Sequence, residues 1–148
     1  MDRQKQIANR GRIVVAKVGL DGHDRGARVL SRMLLEEGFE VVFVGVRHTP
    51  EQVADIAVRD EADVVGISLL SGAQVELSAA VRRALDARGL NHVPIAVGGL
   101  IPRTDGDALR QSGVTMVFHP DDEILSPDRI AEAMDKLVEI SRRVPGGG

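Results

Sequence analysis

No cysteine occurs among the 148 residues. That absence excludes disulfides, zinc–cysteine sites, iron–sulfur clusters and thiol nucleophiles together. Tryptophan and tyrosine are missing too, and three phenylalanines make up the aromatic content. A base-stacking platform for single-stranded nucleic acid needs more, and so does the aromatic sandwich a flavin would want. No basic stripe is present: 19 Lys and Arg are intermixed with 22 Asp and Glu, for a net charge of −3. Nucleic acid is therefore not an expected partner. No apolar run approaches the roughly 18 residues needed to cross a bilayer, so no membrane association is expected. No secretory or transit segment opens the chain, and the expected location is the cytoplasm. There is no internal repeat and no mid-chain linker. What remains is a single domain, 43% hydrophobic, with apolar residues enough for one ordinary core.

Within it, strand-like and helix-like runs alternate strictly. Residues 1–11 read as a polar lead-in, 12–144 as the domain and 145–148 as a Gly-rich tail. Arg12–Val18, Glu40–Gly45, Asp63–Ser68, Val93–Val97 and Val114–Phe118 read as buried strands. The intervening patterns predict helices at Gly26–Glu37, from Pro50, at Ala73–Arg88, at Asp105–Ser112 and from Ser126–Pro127 to about Arg143. Ala27, Leu30, Met33 and Leu34 recur at helical spacing, and Gly38, Gly89 and Gly113 close helices. Thr49-Pro50-Glu51-Gln52 carries a cap, a first-turn proline and a capping box. Five strands alternating with five helices imply an α/β fold with a doubly wound, five-stranded parallel sheet. Near-continuous Val/Ile strands agree with burial on both faces. The simplest arrangement is flavodoxin-like (Rossmann-type), strand order 2-1-3-4-5, with its switch point between strands one and three.

Ligands of open α/β sheets bind beyond the carboxyl ends of the strands. Lys17-Val18-Gly19-Leu20-Asp21-Gly22-His23-Asp24-Arg25-Gly26 leaves the first strand there. A histidine two residues from a carboxylate suits metal work, because the carboxylate can hold one imidazole nitrogen while the other faces the metal. Asp, Gly and His also fill such loops for turn reasons alone, and the motif by itself is compatible with both. Two further loops reach the same rim: Ser68-Leu69-Leu70-Ser71-Gly72 and Gly98-Gly99. His48 and His92 read as solvated loop histidines. His119 follows the fifth strand on the edge of the site.

Asp21-x-His23-x-x-Gly26, then 41 residues, Ser68-x-Leu70, then 27 residues, Gly98-Gly99 resembles the signature of cobalamin-binding domains that hold the cofactor with its benzimidazole displaced. With T-P-E-Q, S-L-L-S-G and V-G-G-L-I-P it is similar to the cobalamin-binding subunit or domain of acyl-CoA mutases of the methylmalonyl-, isobutyryl- and 2-hydroxyisobutyryl-CoA type. The resemblance runs from about Arg12 to Phe118 and more loosely through the last helix. It implies His23 as the lower cobalt ligand, Asp21 as hydrogen-bond acceptor of its other nitrogen, and Lys17 as the outer member of that relay. It implies that Ser68 bonds the displaced dimethylbenzimidazole. Leu70 would shape the nucleotide slot, and Gly72, Gly98 and Gly99 would admit the tail close to the backbone. Gly22, Asp24, Arg25, Gly26, Ser71, Phe118 and His119 complete the expected cofactor contacts.

The same resemblance implies adenosylcobalamin as cofactor and an isomerase that rearranges carbon skeletons by radical chemistry, the chemistry belonging to the cofactor. It implies an acyl-CoA-binding TIM-barrel large subunit, without which this chain is inactive, and a G-protein chaperone for cofactor loading. A barrel needs about 250 residues, so none fits here. Two features depart from the family pattern. Phe118-His119-Pro120-Asp121-Asp122-Glu123 lacks the glycine of the usual Phe-x-Pro-Gly turn, and Gln74 replaces a frequent histidine. Both lean toward the 2-hydroxyisobutyryl-CoA type. A corrinoid carrier for methyl transfer shares the three loops and is the alternative, but it would carry a helical module ahead of the first strand. A receiver domain would want a phosphorylatable aspartate where Ser68 stands.

Overall fold

The computed structural model describes residues 10–18, 25–69, 73–99, 101, 103–118 and 126–143. Five strands stand among them: β1 (Arg12–Val18), β2 (Glu40–His48), β3 (Val64–Leu69), β4 (Ile95–Gly99) and β5 (Met116–Phe118). The helices are α1 (Arg25–Glu36), α2 (Pro50–Arg59), α3 (Gln74–Ala87), α4 (Gly106–Gln111, entered through a 3-10 turn at Arg103–Asp105) and α5 (Pro127–Arg143). The strands form one parallel sheet of order β2-β1-β3-β4-β5, the expected arrangement with its switch point between β1 and β3.

Alternation along each strand divides the core. Val14, Ala16, Val65, Ile67, Ile95, Val97 and Val117 face α2, α3 and α4. Ile13, Val15, Val64, Ala96 and Phe118 face α1 and α5, whose Ala27, Leu34, Met134 and Leu137 cover them. The α1 stripe is the expected one: Ala27 and Leu34 are buried, and Leu30 and Met33 pack at its margin. Thr49 caps α2 through the expected box, with Gln52 N donating to Thr49 Oγ1 at 3.1 Å and Thr49 N donating to Gln52 Oε1 at 2.9 Å. Gly38, Gly89 and Gly113 end their helices at φ of 98°, 79° and 109°, conformations that glycine adopts without the Cβ penalty.

The amino ends of the strands are pinned by charge. Asp63 accepts from the Arg12 backbone N–H at 2.9 Å and pairs with Arg142 at 3.0 Å. Arg12 reaches Glu40 at 2.9 Å, and that hydrogen bond raises the pKa of its guanidinium. No helix among the described residues is long and apolar enough to cross a membrane.

Several boundaries differ from expectation. β2 continues to His48, three residues beyond Gly45, because the ladder resumes with Val18 opposite His48 after an irregularity. His48 is thus a strand residue, half-buried, with Nδ1 2.9 Å from Gly45 O, not a solvated loop histidine. His92 is half-buried as well, its Nδ1 enclosed and without a hydrogen-bond partner among the described residues. β4 begins two residues later than Val93 and takes in Gly98 and Gly99. The valine run at 93 promised a strand, but the ladder with β3 starts only at Ile95, opposite Val65.

Candidate functional site

The shifted start of β4 decides the geometry of the carboxyl edge. Lys17 pairs with Ser68, Ser68 with Gly98, and Gly98 with Phe118. Four residues singled out from the sequence therefore form one row across β1, β3, β4 and β5, spaced by the ~4.8 Å inter-strand step. Parity places the row on the face covered by α1 and α5. Leu69 and Gly99 form the next row outward.

Lys17 is completely buried. A buried ammonium must be hydrogen-bonded and charge-compensated to be tolerated, and Lys17 does have an interaction partner. Ser68 beside it is half-buried, so its hydroxyl lies at the boundary between core and rim.

The centre of this face is short of side chains. On β3 the residues pointing to it are Val64, Gly66 and Ser68; on β4 they are Ala96 and Gly98. A Cβ on Gly66 would touch only Val14 O, at 3.7 Å, among the described residues. One on Gly98 would meet Phe118 Cβ at 3.7 Å and Phe118 O at 4.0 Å. These are ordinary contacts with sheet atoms, not with a helix side chain. The sheet thus carries a lane of bare backbone, buried at Gly66 and half-buried at Gly98, with Phe118 on one flank and Lys17 and Ser68 on the other. Gly99 ends it at φ 130°, a conformation that L side chains rarely adopt. Gly66 was not singled out in the sequence. Its only signal is a glycine interrupting a Val/Ile strand, which marks close approach of another group.

Asp21, Gly22, His23, Asp24, Leu70, Ser71, Gly72 and His119 lie outside the described residues. Arg25 and Gly26 open α1, directly after the segment that contains Asp21 and His23. No group of three or more metal-ligating side chains occurs among the described residues, and the expected ligand His23 is not one of them.

The bare glycine positions and Ser68 are compatible with the tail of a corrinoid. A flat heterocyclic base on a nucleotide tail needs a narrow slot walled by backbone, with a polar group at its end. Gly66 and Gly98 offer bare backbone of that kind, with Ser68 beside Gly98. The chain matches the family model "B12 binding domain" over residues 11–126. It is 39% identical over 127 residues to the 2-hydroxyisobutanoyl-CoA mutase small subunit of Aquincola tertiaricarbonis, covering 86% of this chain and 91% of that subunit. It is also 39% identical over 139 residues to the methylmalonyl-CoA mutase of Rhizobium meliloti, covering 94% of this chain but 19% of that longer protein. A cobalamin-binding protein of Desulfitobacterium hafniense has the same fold, with a TM-score of 0.73 at 20% identity over 86% of this chain and 58% of that one. The chain therefore belongs to the B12-binding domain family and, within it, stands with the cobalamin-binding small subunits of acyl-CoA mutases.

Proposed function

We propose that this chain holds adenosylcobalamin base-off for a radical acyl-CoA mutase, with His23 as the lower cobalt ligand. The observation that carries the reading is the row Lys17–Ser68–Gly98–Phe118, with a fully buried lysine at one end and a bare glycine lane beside it. Lys17 requires an anionic neighbour in the interior. Asp21, four residues on, is the carboxylate we assign to it. Asp21 in turn holds the proton of one imidazole nitrogen of His23, which fixes the tautomer and makes the other nitrogen a stronger ligand. Imidazole suits a transition metal of intermediate softness.

Ser68 would donate its hydroxyl proton to the free ring nitrogen of the displaced dimethylbenzimidazole. Gly98, Gly99 and Gly72 let the nucleotide tail run against backbone, and Leu70 covers it. Gly22, Asp24, Arg25, Gly26, Ser71, Phe118 and His119 line the remaining contacts. The bound cofactor supplies a cobalt–carbon bond that breaks homolytically. The residues of this chain position it, tune the cobalt from below and keep water out of the tail slot.

The acyl-CoA site belongs to a larger partner in this reading. The methylmalonyl-CoA mutase relative, of which this chain spans about a fifth, has room for both parts in one polypeptide. A G-protein chaperone would load the cofactor. The 2-hydroxyisobutyryl-CoA type is the assigned branch, supported by the 91% coverage of that small subunit. Titrating the protein with adenosylcobalamin tests the reading: base-off ligation gives a characteristic absorption change. His23→Ala should abolish that change and the turnover of the complex with a co-expressed large subunit. Wild-type spectra and turnover in His23→Ala would refute the ligand role.

A further inference from the structure

Gln74 and Asp105 join two loops that the cofactor reading treats separately. Gln74 is the first residue of α3, just after the segment that carries Leu70, Ser71 and Gly72. Asp105 ends the 3-10 turn that follows Gly99. The Gln74 Nε2 donates to Asp105 Oδ2 at 2.7 Å across 31 residues of sequence.

Two observations show that local structure gives something up for this bond, and a third marks the same stretch of α3. Asp105 occupies the position ahead of α4 where an aspartate ordinarily caps the helix, yet it makes no capping hydrogen bond. Its carboxylate is turned to Gln74 instead. Gln74 is 6% exposed, and its own Oε1 is buried without a partner among the described residues. Ser78, one turn along α3 and completely buried, also has an Oγ without a partner among the described residues. An enclosed orphan acceptor is costly, and such costs concentrate at functional sites.

We propose that Gln74 and Asp105 form a latch that holds the start of α3 against the 3-10 turn ahead of α4, so that the carboxyl ends of β3 and β4, beside the cofactor slot, keep a fixed separation. Gln74 is a positioning residue: it acts through the start of α3 on one side and the 3-10 turn after Gly99 on the other. The inference rests on the cobalamin reading above.

Affinity of the full-length chain for adenosylcobalamin, followed by absorbance, tests the latch, together with amide hydrogen exchange of peptides covering 70–77 and 100–108. Gln74→Leu removes the donor, and Gln74→Glu sets two carboxylates against each other. Both should weaken binding about tenfold or more, as expected for losing a charge-assisted hydrogen bond, and speed exchange in both loops. Asp105→Asn keeps an acceptor oxygen and should stay within about threefold of wild type. Gln74→Glu combined with Asp105→Asn reverses the polarity of the bond, and should recover most of what Gln74→Glu alone loses. That recovery separates a latch from mere loss of packing, even if Gln74→Leu folds poorly. Unchanged affinity in Gln74→Glu would overturn the latch, as would a double variant no better than Gln74→Glu. Failure of the wild-type chain to bind the cofactor would instead overturn the cobalamin reading and the latch with it.

Discussion

Gly98→Val separates the cofactor slot from the stability of the fold. Gly98 lies in the middle of the carboxyl-edge row, between Ser68 and Phe118. It is not among the glycines with positive φ, so valine meets no backbone strain there. A Cβ would sit 3.7 Å from Phe118 Cβ and 4.0 Å from Phe118 O, distances of ordinary contact. Replacing glycine in a strand relieves about 0.5–1 kcal/mol of chain entropy, and a β-branched side chain suits a pleated surface. The unliganded protein should therefore keep its stability within about 1 kcal/mol, measured by urea unfolding. The three added carbons, however, project into the lane assigned to the nucleotide tail. Overpacking of a filled site costs about 1–3 kcal/mol, which corresponds to roughly 5- to 150-fold in affinity. An absorbance titration with adenosylcobalamin reads that loss directly. Wild-type affinity in a folded Gly98→Val protein would refute the assignment of the lane. A stability loss large enough to account for the weakened binding would refute the separation of the two effects. Gly99→Val provides the contrast, because φ 130° strains any side chain there, and it should lower stability as well.

Gly113→Ala should destabilise more than Gly89→Ala. Both glycines have positive φ, but a Cβ at Gly113 would lie 2.4 Å from Arg82 Cγ, whereas at Gly89 it meets open space. Arg82 has little freedom to yield, since it donates to Val93 O and Leu90 O at 2.8 Å each. Gly89→Ala should cost about 1–2 kcal/mol for the left-handed conformation alone, and urea midpoints would show the order. Thr49→Ala removes the α2 capping box and should cost about 1 kcal/mol, with no change in cobalamin affinity because α2 lies on the other face of the sheet. Leu34→Ala, in a fully buried position of α1, should cost about 2–5 kcal/mol, read as a lowered urea midpoint.

Local chemistry carried much of this structure in the sequence. The α2 cap, the glycines that close three helices, the α1 stripe and the Val/Ile runs each depend on neighbours within a few residues. They needed nothing from the rest of the chain. The alternation of strands and helices then restricted the topology, because parallel strands require crossovers of one hand. The spacing of Asp21–His23, Ser68–Leu70 and Gly98–Gly99 also sufficed to indicate the family.

The tertiary structure decided register. From the sequence, Val93–Val97 reads as a strand and Gly98-Gly99 as the turn after it, because valine favours strands and glycine favours turns. Pairing with β3 moved the strand forward by two residues and put both glycines into the ladder. Only then did Lys17, Ser68, Gly98 and Phe118 fall on one row, and only then did Gly66 gain a role as the floor of the same lane. The same holds for Lys17, whose complete burial at the end of β1, between β2 and β3, is a product of the packed sheet. The Gln74–Asp105 bond crosses 31 residues and leaves no trace in composition or period. Non-local pairing is a property of the packed sheet, whereas caps, turns and periodicity are properties of the chain. The sequence therefore named the loops of the site, and the register of the sheet determined how they face one another.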